Sequence, residues 1–275
     1  MNWIEAVVLG VVQGLTEFLP VSSSGHLVLF QHLFGLVEPE LLFDISVHVG
    51  TLVAVLCVFF RDILRMLEAL VRLPDLARSA GGWGALFTTH PEIRLMVMIV
   101  AGCIPTALLG VFFAKVAEQL FGTLWLVGAA LLVTGTFLWF TRRQKAIGRP
   151  IAKMRIKDAL IIGLIQGLAI IPGISRSGAT ISAALYLGVD RELAGRFSFL
   201  LAIPAILGAL VLGLDSEAFH TDMSMGTIVL GSLTAAVVGY LALVVLLKIV
   251  KKGQLYRFAP YCWLAGFAAI VVSIV

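Results

Sequence analysis

Charge is scarce in this chain. Of its 275 residues, 13% are Asp, Glu, Lys or Arg, against about 25% in an ordinary soluble domain. With 60% of the residues hydrophobic, that shortage excludes a water-soluble globule and predicts an all-α polytopic membrane protein. Cysteine is sparse as well. Cys57, Cys103 and Cys262 are scattered through apolar segments without metal-ligand spacing, so they read as lipid-buried thiols. The first ten residues, MNWIEAVVLG, lack a basic stretch, which argues against a cleaved signal peptide. Neither a ring of like charges nor a carbonyl filter sequence is present, and an ion channel is disfavoured. No nucleic-acid partner is expected, and a homodimer is left open.

What is abundant is apolar sequence in long runs. About 20 apolar residues cross a bilayer, and six stretches qualify: 43–61, 94–114, 122–141, 193–214, 225–248 and 257–275. Two further apolar regions, 2–36 and 157–189, are broken near the middle by Pro, Gly and Ser. Each half is too short to span, so both are expected to be re-entrant. Basic residues crowd three connections. Arg61, Arg65, Arg72, Arg78 and Arg94 flank the first. Arg142, Arg143, Lys145, Arg149, Lys153, Arg155 and Lys157 lie in the second, and Lys248, Lys251, Lys252 and Arg257 in the third. The connections between them carry Lys115 in one and the acids Asp215, Glu217 and Asp222 in the other. The positive-inside rule puts the three basic connections in the cytoplasm. Both termini are then outside, the first broken segment lies on the outer side and the second on the inner side.

The two broken segments match each other at a constant separation. Gly10, Gln13, Gly14 and Leu15 fall on Gly163, Gln166, Gly167 and Leu168; Ser22, Ser24 and Gly25 fall on Ser175, Ser177 and Gly178. A weaker match pairs Gly102 with Gly231 and Gly110 with Gly239. One membrane domain over residues 1–275 is expected, built from a repeat at about 1–145 and another at about 153–275. Each repeat is one re-entrant helix pair plus three spans. Three is odd, so the halves have inverted topology, and such folds build their site where the broken helices meet.

The polar residues of this greasy chain concentrate in those breaks, QGLTEFLPVSSSGH (13–26) and QGLAIIPGISRSGAT (166–180). Pro20 disfavours helix at Leu19, so the first helix should end there. A second helix is expected from about Gly25 or His26, with Ser22, Ser23 and Ser24 available as caps. In the other segment Pro172 and Gly173 break the helix, Ser175 and Ser177 cap the next one, and Gly178 permits close approach. Two helix N-termini that face each other attract anions. Arg176 adds a planar guanidinium suited to phosphate oxygens, and a cation at membrane depth marks function. Gln13 and Glu17 share a helix face. The Glu17 carboxylate needs Arg176, His26 or a metal ion as its partner; with Gln13 it offers oxygen ligands to Mg²⁺ or Ca²⁺. His26 carries protons near neutral pH, and His48 with Asp44 could support the site. Acid, imidazole, hydroxyls, guanidinium and helix N-termini together suit phosphoryl transfer, with Ser23 or a metal-bound water attacking.

On these two motifs and the order of spans, the chain resembles the bacterial undecaprenyl-diphosphate phosphatases, also called bacitracin-resistance proteins, over nearly its whole length. The resemblance implies that Glu17, Ser23, His26 and Arg176 are catalytic. It places Ser22, Ser24, Ser175, Ser177 and Thr180 around the phosphate, beside Gln13, Gly25 and Gly178. It implies hydrolysis of a polyprenyl diphosphate to the monophosphate at the outer face of the inner membrane, aided by a divalent cation, so that the lipid carrier returns to cell-wall synthesis. The family's first motif position is Glu or Gln; Gln13 here removes one negative ligand and shifts the burden to Glu17. A transporter or flippase for an anionic lipid is the rival reading, because broken helices in inverted repeats are also a transporter signature.

Overall fold

The computed structural model describes residues 1–34, 41–80, 82–121, 124–144, 147–213 and 223–273. The expected acidic connection with Asp215, Glu217 and Asp222, and Lys145, lie outside the described residues. Among those described the fold is helical, and the β pairing is one isolated bridge between Arg149 and Val189.

The chain begins with a hairpin of two short helices, α1 (Trp3–Phe18) and α2 (Ser23–Leu33). Next come α3 (Leu41–Val58), α4 (Phe60–Val71), α5 (Leu73–Ser79), α6 (Trp83–Thr89), α7 (Pro91–Phe121) and α8 (Leu124–Phe140). The second hairpin is α9 (Ile156–Leu168) and α10 (Arg176–Tyr186), followed by α11 (Arg191–Gly213), α12 (Met225–Lys251) and α13 (Ala259–Val272). Five helices are long and apolar enough to cross a membrane: α7, α8, α11, α12 and the last, counted with the 3₁₀ turn before it. The pair α3 and α4 makes a sixth if taken as one broken span. These are the six stretches expected from the sequence, with one change. The stretch expected to run straight through 43–61 bends by 72° between Val58 and Phe60. Beyond the bend α4 has no buried residue and alternates Arg61, Asp62, Arg65 and Glu68 with half-exposed Leu64, Leu67 and Leu70. Such an amphipathic face suits the bilayer interface, not its core.

Large apolar side chains cover the outside of the spans; Leu108, Val111, Phe112, Leu264 and Phe267 are each at least 65% exposed. Lipid, not water, is the solvent this surface matches. This is a multi-pass membrane protein. Polar ties join the three basic connections to one another around the start of α11. Asp62 pairs with Arg196 at 2.6 Å, Arg191 donates to the Gln144 carbonyl at 3.2 Å, and Lys251 meets Glu192 at 2.7 Å.

Inside, small residues bring backbones together, as expected where lipid gives no hydrophobic drive between helices. α1 crosses α12 with Gly10 against Gly231, and α9 crosses α7 with Gly163 against Gly102. α8 meets α13 with Gly128 against Gly266. The main core lies around the hairpin tips, where Phe18 meets Phe199 edge-on at 5.7 Å between ring centroids.

A side chain at Gly163 has nowhere to go, since its Cβ would overlap the backbone of Gly102, whereas a Cβ at Gly110 would meet no atom within 4 Å. Gly163→Ala is expected to destabilise the protein by about 1–3 kcal/mol, the usual cost of overpacking. Gly110→Ala should be neutral or slightly stabilising. Thermal unfolding of both variants in detergent checks this.

Candidate active site

α1 stops where the sequence demands. Leu19 caps it, and Pro20 follows. α2 starts at Ser23, two residues earlier than expected, and brings Ser23, Ser24, Gly25 and His26 into its first turn. The early start is possible because Ser22 turns the chain with φ 71°, the one non-glycine positive φ among the described residues. A serine held in that region is strained and must be fixed by its surroundings. The fixing contact comes from the other hairpin: Ser22 Oγ accepts the Gly173 N–H at 3.1 Å. Ser22, expected as a cap for its own helix, thus also satisfies the second hairpin.

The second hairpin returns the favour. Ser175 caps α10 as expected, its Oγ accepting from the Gly178 N–H at 3.1 Å. Ser177 Oγ donates at 2.8 Å to the Phe18 carbonyl, one of those left open at the end of α1. Thr134 of α8 donates to the Gly173 carbonyl at 3.0 Å and accepts the Ser175 N–H at 3.2 Å. Cys262, expected to be a lipid-facing thiol, is fully buried in protein and donates to the Pro20 carbonyl at 3.3 Å. Open backbone groups at Phe18, Pro20, Gly173, Ser175 and Gly178 thus find partners inside the protein.

The tips bring the reactive side chains together. Arg176 Nη2 donates to Glu17 Oε1 at 2.5 Å. The other carboxylate oxygen, Oε2, accepts from Ser23 Oγ at 2.7 Å and from Gln13 Nε2 at 3.0 Å, and His48 Nε2 lies 3.8 Å away. Of the partners open to Glu17, Arg176 is the one in direct contact; His26 does not touch it. His26 instead places Nδ1 2.8 Å from the Ser22 carbonyl and Nε2 2.5 Å from the Tyr261 hydroxyl. A carbonyl can only accept, so Nδ1 carries the hydrogen and Nε2 of the neutral ring accepts from the phenol. His48, which the sequence offered together with Asp44, lies at the edge of this cluster. Its Nδ1 donates to the Asp44 main-chain carbonyl at 2.7 Å, while the Asp44 carboxylate accepts from Gln31 at 2.6 Å.

Burial divides the cluster. Ser23, Ser24, Gly25 and His26 are half-buried and form an accessible lip; Glu17 lies beneath them at 8% exposure. Ser22, Ser175, Ser177, Gly178 and Thr180 are buried under the lip. Thr180 donates to the Arg176 carbonyl at 2.7 Å and also bonds Ser198. These hydroxyls hold the scaffold of the site, which is a different position from an open phosphate pocket.

Two atoms of the cluster are buried without a partner: Arg176 Nη1, a donor, and Gln13 Oε1, an acceptor. Buried polar atoms in native proteins are normally satisfied, so each asks for a ligand of opposite character, an anion oxygen for the first and a cation or donor for the second. Among the described residues no group of three His, Cys, Asp or Glu could cage a metal. One carboxylate and one amide oxygen still fit Mg²⁺, which takes few protein ligands and fills its shell with water and phosphate oxygens.

Tyr261 and Thr134 were not foreseen. Each sits in an apolar span, Tyr261 lies 235 residues from His26, and no local pattern signals the contact.

A family model described as bacitracin resistance protein BacA matches residues 6–268. Proteins named undecaprenyl-diphosphatase are similar along the whole chain. That of Desulforapulum autotrophicum is 52% identical over 276 residues, covering 100% of both chains. That of Desulfosudis oleivorans is 53% identical over 97% of both chains. The one from Methanobrevibacter smithii is 43% identical over 100% of this chain and 99% of its own.

Tyr261→Phe keeps the ring and removes the hydroxyl that meets His26. If that hydroxyl positions the imidazole for proton transfer, kcat for phosphate release should fall about tenfold while KM stays within about twofold. Steady-state kinetics with the lipid diphosphate, run across pH, measure both, and the pH profile should change shape.

Proposed function

The chain belongs to the bacitracin resistance protein BacA family, and from that membership we propose that it hydrolyses undecaprenyl diphosphate to the monophosphate and inorganic phosphate. It is a membrane hydrolase, and its reaction returns the lipid carrier to cell-wall synthesis. The observation that carries this reading is the unpartnered Arg176 Nη1, buried beside a carboxylate that is already bonded to Ser23. A guanidinium with one arm on Glu17 and one arm free is set to bind a phosphoryl oxygen while keeping its own position.

The distances support the following roles. The terminal phosphate enters over the lip of α2, its oxygens drawn by Arg176 and by the positive end of that helix. Glu17 accepts the Ser23 proton along their 2.7 Å bond, and Ser23 Oγ attacks the terminal phosphorus. The bond to the bridging oxygen breaks, and the lipid monophosphate leaves. Water then attacks the phosphoserine and releases inorganic phosphate, with His26 moving the proton. A divalent cation held by Gln13 and Glu17 would neutralise charge on the phosphate oxygens. The distribution of basic residues supports a lip that opens on the outer side of the bacterial inner membrane. The paired glycine crossings, Gly10 on Gly231 and Gly163 on Gly102, support two halves of inverted topology about these tips.

A carrier for anionic lipids would use the same broken helices, but it has no need of a serine bonded to a carboxylate. Phosphate release in detergent, without compartments, separates the two readings.

Arg176→Ala should lower kcat/KM by roughly 10³-fold or more, by comparison with arginine fingers. It should also destabilise the protein by about 3–5 kcal/mol, because the buried Glu17 carboxylate loses the arginine paired with it. The neutral pair Glu17→Gln with Arg176→Gln should regain much of that stability and none of the activity. Melting and phosphate-release measurements on the same samples test both statements; parental turnover in Arg176→Ala would refute the assignment. For the nucleophile, a rapidly quenched reaction should contain phosphate on Ser23. Single-turnover hydrolysis without it, with ¹⁸O from water entering phosphate directly, would assign the attack to water. Chelation should suppress turnover, and Mg²⁺ or Ca²⁺ should restore it.

A further inference from the structure

A second positively charged cleft lies away from the hairpin tips. Where α7 and α9 both begin, a cavity of about 470 Å³ is lined by Arg94, Arg155 and Lys157 together with Phe87, Met98 and Ile156. It sits at the start of α9, and the 13 residues of that helix separate it from the tip by on the order of 20 Å. It is therefore not part of the site described above.

The charge in this cleft is not compensated. Among the described residues none of the three cations forms an ion pair. The acid in the first turn of α9, Asp158, is committed to Arg149 at 2.8 Å and to the Arg155 N–H at 2.8 Å. Glu92, in the first turn of α7, is not among the lining residues. Arg94 is fixed in place by Nη2 donating to the Met154 carbonyl at 2.6 Å, yet its Nε is buried with no acceptor. The first turns of α7 and α9 add their positive ends to the same spot.

The rest of the surroundings are apolar. Phe87, Met98 and Ile156 form walls of the cavity. Farther along the same two helices, Val100 and Ile104 of α7 and Leu160 and Leu164 of α9 stand 38–63% exposed on the lipid-facing surface. A phosphate alone would use the cations and leave the walls without a partner. A molecule with a phosphate at one end and hydrocarbon at the other would use both.

We propose that this cleft binds an anionic glycerophospholipid, its phosphate among Arg94, Arg155 and Lys157 and its acyl chains along the exposed stripe of α7 and α9. The three cations belong to the basic connections, which face the cytoplasmic leaflet by the positive-inside rule. Basic pockets between membrane helices on that side are suited to acidic headgroups. The inference does not rest on the phosphatase reading.

The test uses the full chain in mild detergent, with phosphatidylglycerol or phosphatidylcholine added and retained lipid counted by native mass spectrometry. Phosphatidylglycerol should be retained in preference to phosphatidylcholine. Arg155→Gln with Lys157→Gln, both exposed positions, should lower that retention on the order of tenfold or more, given the loss of two cations that meet the headgroup. Phosphate release in phosphatidylcholine micelles should be unchanged, which verifies that the variant is folded. Equal retention of the two lipids, or retention unaltered in the variant, would overturn the proposal. Complete displacement of phosphatidylglycerol by millimolar inorganic phosphate would also overturn it, by assigning the cleft to a free anion.

Discussion

The ion pair between Glu17 and Arg176 joins two helical hairpins that are 159 residues apart in sequence, at 2.5 Å. Neither charge could sit at that depth alone, because an unpaired buried ion costs several kcal/mol. Each hairpin therefore requires the other. The same pair fixes the chemistry, since Glu17 Oε2 is left to hold Ser23 and Gln13, and Arg176 keeps one nitrogen uncommitted. In the proposed mechanism, charge pairing for stability and charge placement for catalysis are one arrangement.

A broken helix inside a membrane raises a second problem, that of its open backbone groups. Lipid offers them no hydrogen bonds, so irregular backbone survives only where protein supplies partners. Ser22 serves Gly173, Ser177 serves Phe18, Thr134 serves both Gly173 and Ser175, and Cys262 serves Pro20. The serines that looked like phosphate ligands divide accordingly. Those under the lip maintain the turns, and Ser23 and Ser24 on the lip are half-buried. The glycine crossings bring α1 against α12 and α9 against α7, which sets the hairpins deep enough for their tips to meet.

Much of this was legible in the sequence because the membrane writes in long, simple words. Runs of about 20 apolar residues gave the spans, and Pro20, Pro172 and Gly173 gave the breaks. Polar residues in an apolar context singled out Glu17, His26 and Arg176. The bend after Val58 was not legible, since Phe59 and Phe60 continue the apolar run and the change of character lies in the spacing of Arg61, Asp62 and Arg65 beyond it. The start of α2 was misplaced because Ser22 takes a left-handed backbone conformation held by contacts that include the distant Gly173. Tyr261 could not be found at all, for an aromatic in an apolar span looks the same whether it faces lipid or meets a histidine 235 residues away.

The reciprocal bonding of the two tips also governs how substrate gains access. Withdrawing either hairpin would strand the Gly173 amide, the Phe18 carbonyl and both ions at once, each neutral group alone costing about 1–3 kcal/mol. Opening and closing about the tips is therefore an improbable route in and out. Under the proposed function the tips then act as a stationary anvil: the headgroup moves to them, and they do not part to receive it.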